Sequence, residues 1–269
     1  MTPFTTRRRR FQAALLATLL PLIGFAQGTA PTGSGTAGDP YIIDSADDLV
    51  YLSGLDAGDD TYLTGTEPIH YEQTADIDLA EASFNGIPGS SDNGITWNYD
   101  GGGYTIANMD ISISGESEAG FLQCAKGGSI QDLTLLAPQT SLTNSSGTNT
   151  NAAILIGLAM GNVTLTDITL INPHVLANSA SAGTASDAGG MIGMLQNASG
   201  DNLVSIANCS ILGGQIYVDI ASGGSYQRAG GFVGGAYRSG THDSDYLEIS
   251  QSEVHNLSIC THLVNYVCN

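Results

Sequence analysis

The chain has 269 residues, 42% of them hydrophobic, 12% charged and 7% aromatic, with 35 glycines and four cysteines. So apolar a composition excludes a disordered polymer, and so few cysteines exclude a disulfide scaffold at this length. Nineteen Asp and seven Glu face seven cations, four of which are Arg7 to Arg10, for a formal charge of −19. That balance leaves no basic patch for a nucleic-acid backbone or an anionic membrane surface.

Residues 1–26 read as a signal peptide. Arg7 to Arg10 form the cationic start, Phe11 to Phe25 the apolar core, and Gly24 and Ala26 stand at −3 and −1 of the cut. The expectation is an exported chain, extracellular or at the cell surface, with no transmembrane segment after cleavage. Its remaining cations are Lys126, Arg228 and Arg238, against 26 acids. Residues 27–38 are a Gly/Thr/Ser linker. Residues 39–80 predict an N-terminal cap of strand, short helix and strand. Tyr41 to Ile43 is the first strand, and Ser45 is an N-cap with Asp48 at the capping-box position. Ala46, Leu49, Val50 and Leu52 supply one apolar helix face before Gly54. Ala75, Ile77 and Leu79 alternate into the next strand.

Residues 81–259 repeat. The pattern apolar-x-[Asn/Asp/Gln]-apolar-x-apolar begins at Ile106, Ile130, Leu165, Ile206 and Ile249, at intervals of 24, 35, 41 and 43 residues. A glycine-rich string precedes the later four: AGFLQ at 119, AAILIG at 152, AGGMIG at 188 and AGGFVG at 229. A third string follows, with Pro138, Pro173 and Gly214 in register. Three strands recurring in order predict a parallel β-solenoid, in which stacked coils build one continuous core. A sandwich does not require the same three-part string to recur. Gly190 and Gly231 are expected at positive φ or in close approach at a corner. The Asn/Asp/Gln position is expected to form a side-chain ladder that satisfies free backbone donors.

The strings AGGMIG and AGGFVG resemble the GLUG motif of bacterial secreted and cell-surface proteins. GDPYIIDSADDLVYLS, YEQTADIDLA and WNYDGGGYTIANM resemble, in order, the segments that open that family's repeats. The likeness spans residues 38–259. The sequence departs from the family pattern at Ala153-Ile154, at Phe121-Leu122-Gln123, and at Gly102 where the family has Asn. The resemblance implies an all-β, right-handed parallel β-helix with a short N-terminal strand-helix cap. It also implies an adhesin-like location outside the cell, and it does not imply a catalytic centre.

The candidate chemistry is sparse. No G-x-S-x-G or H-E-x-x-H occurs, and His242-Asp243-Ser244-Asp245 reads as a solvated turn. A polysaccharide lyase or glycoside hydrolase on a β-helix is the alternative to a non-catalytic module. It would draw on Asp110, Asp132 and Asp167, but three scattered cations suit a uronate poorly. No cofactor is expected. Calcium is the one metal candidate, on Asp76 and Asp78 or on the Asp56, Asp59 and Asp60 cluster. Cys260 and Cys268 are spaced for a disulfide-closed tail over residues 260–269, while Cys124 and Cys209 pair only if the fold brings them together. The reading is an exported binding or adhesion module. Its partner would be a surface glycan or protein ligand, and an incompletely capped C-terminal end would favour end-to-end self-association.

Overall fold

In a parallel solenoid each residue lies one rung, about 4.8 Å, from its counterpart in the next coil. The computed structural model shows that arrangement. It describes residues 28–56, 62–63, 68–89, 95–144, 147–179, 184–197, 203–220, 226–238 and 247–262. The signal segment, Asp59, Asp60, the 242–245 turn and Cys268 lie outside the described residues.

The inward column of the largest sheet runs Tyr41, Tyr71, Tyr99, Ile130, Leu165, Ile206 and Ile249, each paired in parallel with the next. A second inward column runs Ile77, Ile106, Leu135, Leu170, Ile211 and Val254. A second sheet stacks Ile111, Thr140, Val175, Ile216 and Ile259. A short third sheet stacks Ala119, Ala152, Ala188 and Ala229. The chain is therefore an all-β parallel β-helix. The columns are buried along their length and open only at the last rung, where Ile249, Val254 and Ile259 are 45%, 39% and 44% exposed.

The core changes character along the axis. Its first coils are filled by aromatic rings: Tyr71 lies 4.4 Å from Trp97, Trp97 5.7 Å from Tyr99, and Tyr99 5.3 Å from Phe121 between centroids. Beyond Ile130 the column is aliphatic. The helix Ala46–Ser53 packs Leu49 and Leu52 into the first coils. Its N-terminus is fixed by Asp48, whose Oδ2 accepts from Asp44 N, Ser45 N and Ser45 Oγ at 3.1, 3.0 and 2.7 Å. The rungs begin inside the stretch assigned to the cap, because Tyr41–Ile43 and Ile69–Gln73 already pair in the main sheet.

Two corners give the coil its shape, and both use left-handed backbone. Asp132, Asp167, Asn208 and Gln251 have φ of 50°, 56°, 54° and 50°. Asn108, Ala137, Asn172, Gly213 and Asn256 occupy the second corner at φ 56°, 51°, 52°, 76° and 54°. In the later four coils the two corners are five residues apart. Asn and Asp tolerate this region better than other residues with a Cβ. The recurring Asn/Asp/Gln thus has a backbone reason, where the sequence suggests a side-chain ladder. Backbone bonds cross between coils here, Ala137 N to Ile171 O at 2.8 Å, Asn172 N to Leu212 O at 2.8 Å and Gly213 N to His255 O at 2.7 Å, and of the corner side chains Asn108 also reaches the neighbouring coil, donating to Asp78 Oδ1.

The first repeat is out of register with the others. Ile106 pairs with Leu135, not Ile130, so Asn108 belongs to the second corner. The residue above Ile130 is Tyr99, 31 positions earlier, and the 24-residue interval disappears. The later alignment holds, as does the register of Pro138, Pro173 and Gly214. Gly190 has no positive φ; its reason is close approach, since a Cβ there would lie 2.2 Å from Gly231 O.

Gly128 has both constraints. Its φ is +105°, and a Cβ would fall 1.8 Å from the carbonyl oxygen of Trp97, its rung partner. Gly128→Val should therefore prevent the coil from closing and yield insoluble protein. Ala137→Gly should raise stability by about 0.5–1 kcal/mol, because Ala is strained at φ 51°. Thermal unfolding checks both; a Gly128→Val protein as stable as the wild type would refute the contact.

Candidate functional site

The four strands of the short sheet are Glu118–Ala119, Thr150–Ala153, Ala185–Gly189 and Tyr226–Gly230. Their alanine column faces the core. The residue before each alanine lies on the other side, giving a second column of Glu118, Asn151, Asp187 and Arg228. After a tight turn the chain enters the next strands, which carry the column Cys124, Leu158, Met194 and Gly235. Cys124, Leu158 and Met194 form a small apolar cluster of their own, separate from the main core. The two columns frame a groove of about 550 Å³, rimmed by Asn149, Gln196, Tyr226 and Tyr237.

Asp187 is only 1% exposed and its carboxylate is held by Arg228, Nε to Oδ1 at 2.5 Å and Nη2 to Oδ2 at 2.8 Å. Burial pushes the Asp187 carboxyl up, while the Arg228 bonds oppose that shift. The same bonds hold the guanidinium more firmly protonated. Gly235 makes the pair possible: a Cβ there would sit 2.6 Å from Asp187 Oδ1 and 2.8 Å from Arg228 Nε. Glu118, at the other end of the column, is raised to about 7, first by burial, with Asn151's hydrogen bond opposing and Glu116 adding to the rise. Asn151 is 5% exposed, and its Oδ1 is buried with no donor. Cys124 is a buried free thiol pushed up to about 12, chiefly by burial, which makes it a poor nucleophile. Tyr226 and Tyr237 stand 68% and 52% exposed on the last coil of the groove.

The residues singled out from sequence lie elsewhere. Asp76 Oδ1 accepts from Thr105 N at 2.8 Å, and Asp78 Oδ1 from Ala80 N at 3.0 Å and Asn108 Nδ2 at 2.9 Å. The Asn108 bond, with that of Ala80, holds Asp78 below its usual range. Both carboxylates thus stitch neighbouring rungs. Among the described residues no group of three or more His, Cys, Asp or Glu is placed to hold a metal ion. Asp132 and Asp167 are exposed at their corners, and Asp110 starts a strand paired with Gln139 on the second sheet. The three do not converge on the groove. Cys260 is buried and disulfide-bonded, whereas Cys124 and Cys209 are free.

Sequence reasoning missed the groove column. Its members, Glu, Asn, Asp and Arg, share no residue type. The signal was positional: each directly precedes the alanine of a glycine-rich string, and Arg228 is one of three cations beyond Arg10.

No family model matches the chain. It is 32% identical over 126 residues to halomucin of Haloquadratum walsbyi, a match covering 43% of this chain and 1% of halomucin. The chain therefore spans a very small part of that relative. A crystal structure from Bacteroides ovatus, described as a "putative immunoglobulin A1 protease", is similar at a TM-score of 0.45 and 15% identity, over 85% of this chain and 79% of that one. Among the described residues no helix is long and apolar enough to cross a membrane.

Glu118 gives the site a pH signature. The unfolded carboxyl releases its proton near 4.5 and the folded one near 7, so between these values the folded state binds more protons and stability falls as pH rises. Glu118→Gln should remove that component of the slope. Melting temperatures across this window at fixed ionic strength check it; identical slopes in the two proteins would contradict the burial of Glu118.

Proposed function

We propose that this chain is an exported, non-catalytic binding module of a secreted or cell-surface protein, built from GLUG-type repeats, and that it binds its ligand in the groove beside the short sheet. The groove carries the reading. It combines a polar column, an apolar floor and two exposed tyrosines, which is the usual make-up of a recognition site. The cationic and apolar start of the chain supports export. The local similarity to halomucin supports an extracellular setting. A large acidic excess keeps such a surface soluble.

One observation favours a second reading, a glycoside hydrolase. Glu118, raised to about 7, has the protonation a general acid needs at neutral pH. A hydrolase also needs a second carboxylate free to act on water or on the sugar. Asp187, two rungs along the same column, has both oxygens bound to Arg228. Binding without turnover is the better fit.

Residues 27–269 incubated with a panel of polysaccharides should retain ligand in pull-down without releasing reducing ends or unsaturated products. Turnover that disappears in Glu118→Gln would replace the binding module with an enzyme.

A further inference from the structure

We infer that the groove takes an uncharged, extended saccharide chain lying parallel to the solenoid axis, with one end packed against Tyr226 and Tyr237; this rests on the groove being the binding site. The direction follows from the register. Glu118, Asn151 and Arg228 line the groove at successive coil positions, with the fully paired Asp187 buried between Asn151 and Arg228, so the wall carries planar hydrogen-bonding groups at multiples of about 4.8 Å along the axis. Opposite them Leu158 and Met194 repeat at the same spacing. A ligand matching both must itself be a linear repeat, with polar edges and apolar faces, of nearly one unit per coil. An extended pyranose chain has that form.

A peptide strand does not. It advances about 3.3 Å per residue, out of step with the coils, and a strand-addition site requires a free sheet edge. The two middle strands of the short sheet are paired on both sides. The hydroxyl-rich character of the ligand follows from Asn151, whose Oδ1 is buried without a donor and whose residue lines the groove. A sugar hydroxyl supplies that donor. The exposed rings of Tyr226 and Tyr237 are flat faces of the kind on which the C–H face of a sugar packs.

The absence of charge follows from the ion pair. Arg228 is the cation lining the groove, and its guanidinium is committed to Asp187 through two bonds. Glu118 adds negative charge when ionised, with Glu116 close behind it. Among the described residues, a uronate or sulfated chain would meet carboxylates and no free cation.

The test is a length series. Residues 27–269 are titrated calorimetrically with neutral oligosaccharides of one to six units, glucose-, xylose- and mannose-based, and with oligogalacturonides of the same lengths. At least one neutral series should bind, with affinity rising about tenfold per unit until the chain spans the groove and then levelling. Tyr226→Ala and Tyr237→Ala, both exposed positions, should each weaken binding about tenfold with melting unchanged. Tighter binding by oligogalacturonides, affinity independent of length, or full affinity in the double tyrosine variant would overturn the assignment. Capture of a protein ligand that the tyrosine variants lose, with no saccharide bound, would overturn it while leaving the binding module intact. Failure to bind either class would overturn both.

Discussion

Self-stacking governs this molecule. Every side chain on the coil sits a rung spacing from its counterparts above and below, so each column must be chemically compatible with itself along the axis. Apolar columns satisfy this without further provision, and they make the core. Hydroxyl columns such as Thr105, Thr134, Thr169 and Ser210 stack like on like, whereas charged columns are relieved by neutral or opposite-charge neighbours. In the groove, neutral Asn151 separates Glu118 from Asp187, and Asp187 then meets Arg228. On the main sheet, where Glu72 and Asp100 are neighbours, Gln131 follows and donates to Asp100 Oδ2 at 3.1 Å. Gly128 beneath Trp97 answers to the same stacking: the Trp97 backbone comes so close that a Cβ on the next rung would fall on its carbonyl oxygen.

The groove arises from a local departure in that regularity. The short sheet turns tightly into the next strands, bringing two columns face to face outside the core. Cys124, Leu158 and Met194 are buried there against polar residues rather than against the interior. Space for the Asp187–Arg228 pair comes from an omitted side chain at Gly235. Glycine abundance is therefore only partly about backbone freedom; at Gly235 and Gly128 it is about what the neighbouring rung needs.

Most of the coil could be read from the sequence, because inward positions repeat residue type. The later four repeats, the Ser45–Asp48 box and the register of Pro138, Pro173 and Gly214 are of this kind. The first repeat misleads for a physical reason. Apolar-x-Asn-apolar-x-apolar is the signature of a left-handed corner, and the coil has two corners with the same requirement, so Asn108 matches Asp132 in pattern while occupying the position of Ala137. Charge placement was the harder part. A column that must alternate to avoid like-charge contact cannot announce itself by repetition, and Glu118, Asn151, Asp187 and Arg228 are visible as a set only once the rungs are aligned.

The fixed spacing of the two corners has a consequence for where the chain can change length. From Asp132 to Ala137, Asp167 to Asn172, Asn208 to Gly213 and Gln251 to Asn256, the arc is constant, while rung-to-rung distances along the main column grow from 35 to 41 to 43 residues. The growth falls chiefly between the strands ending at Asn197 and Arg238 and those beginning at Val204 and Leu247, downstream of Gln196 and Tyr237 on the groove rim. Insertions there lengthen the chain without disturbing a single rung. The two arcs of the coil therefore differ in what a change of length does: one residue added between the corners would shift every later rung, whereas residues added after Gln196 or Tyr237 leave the register intact.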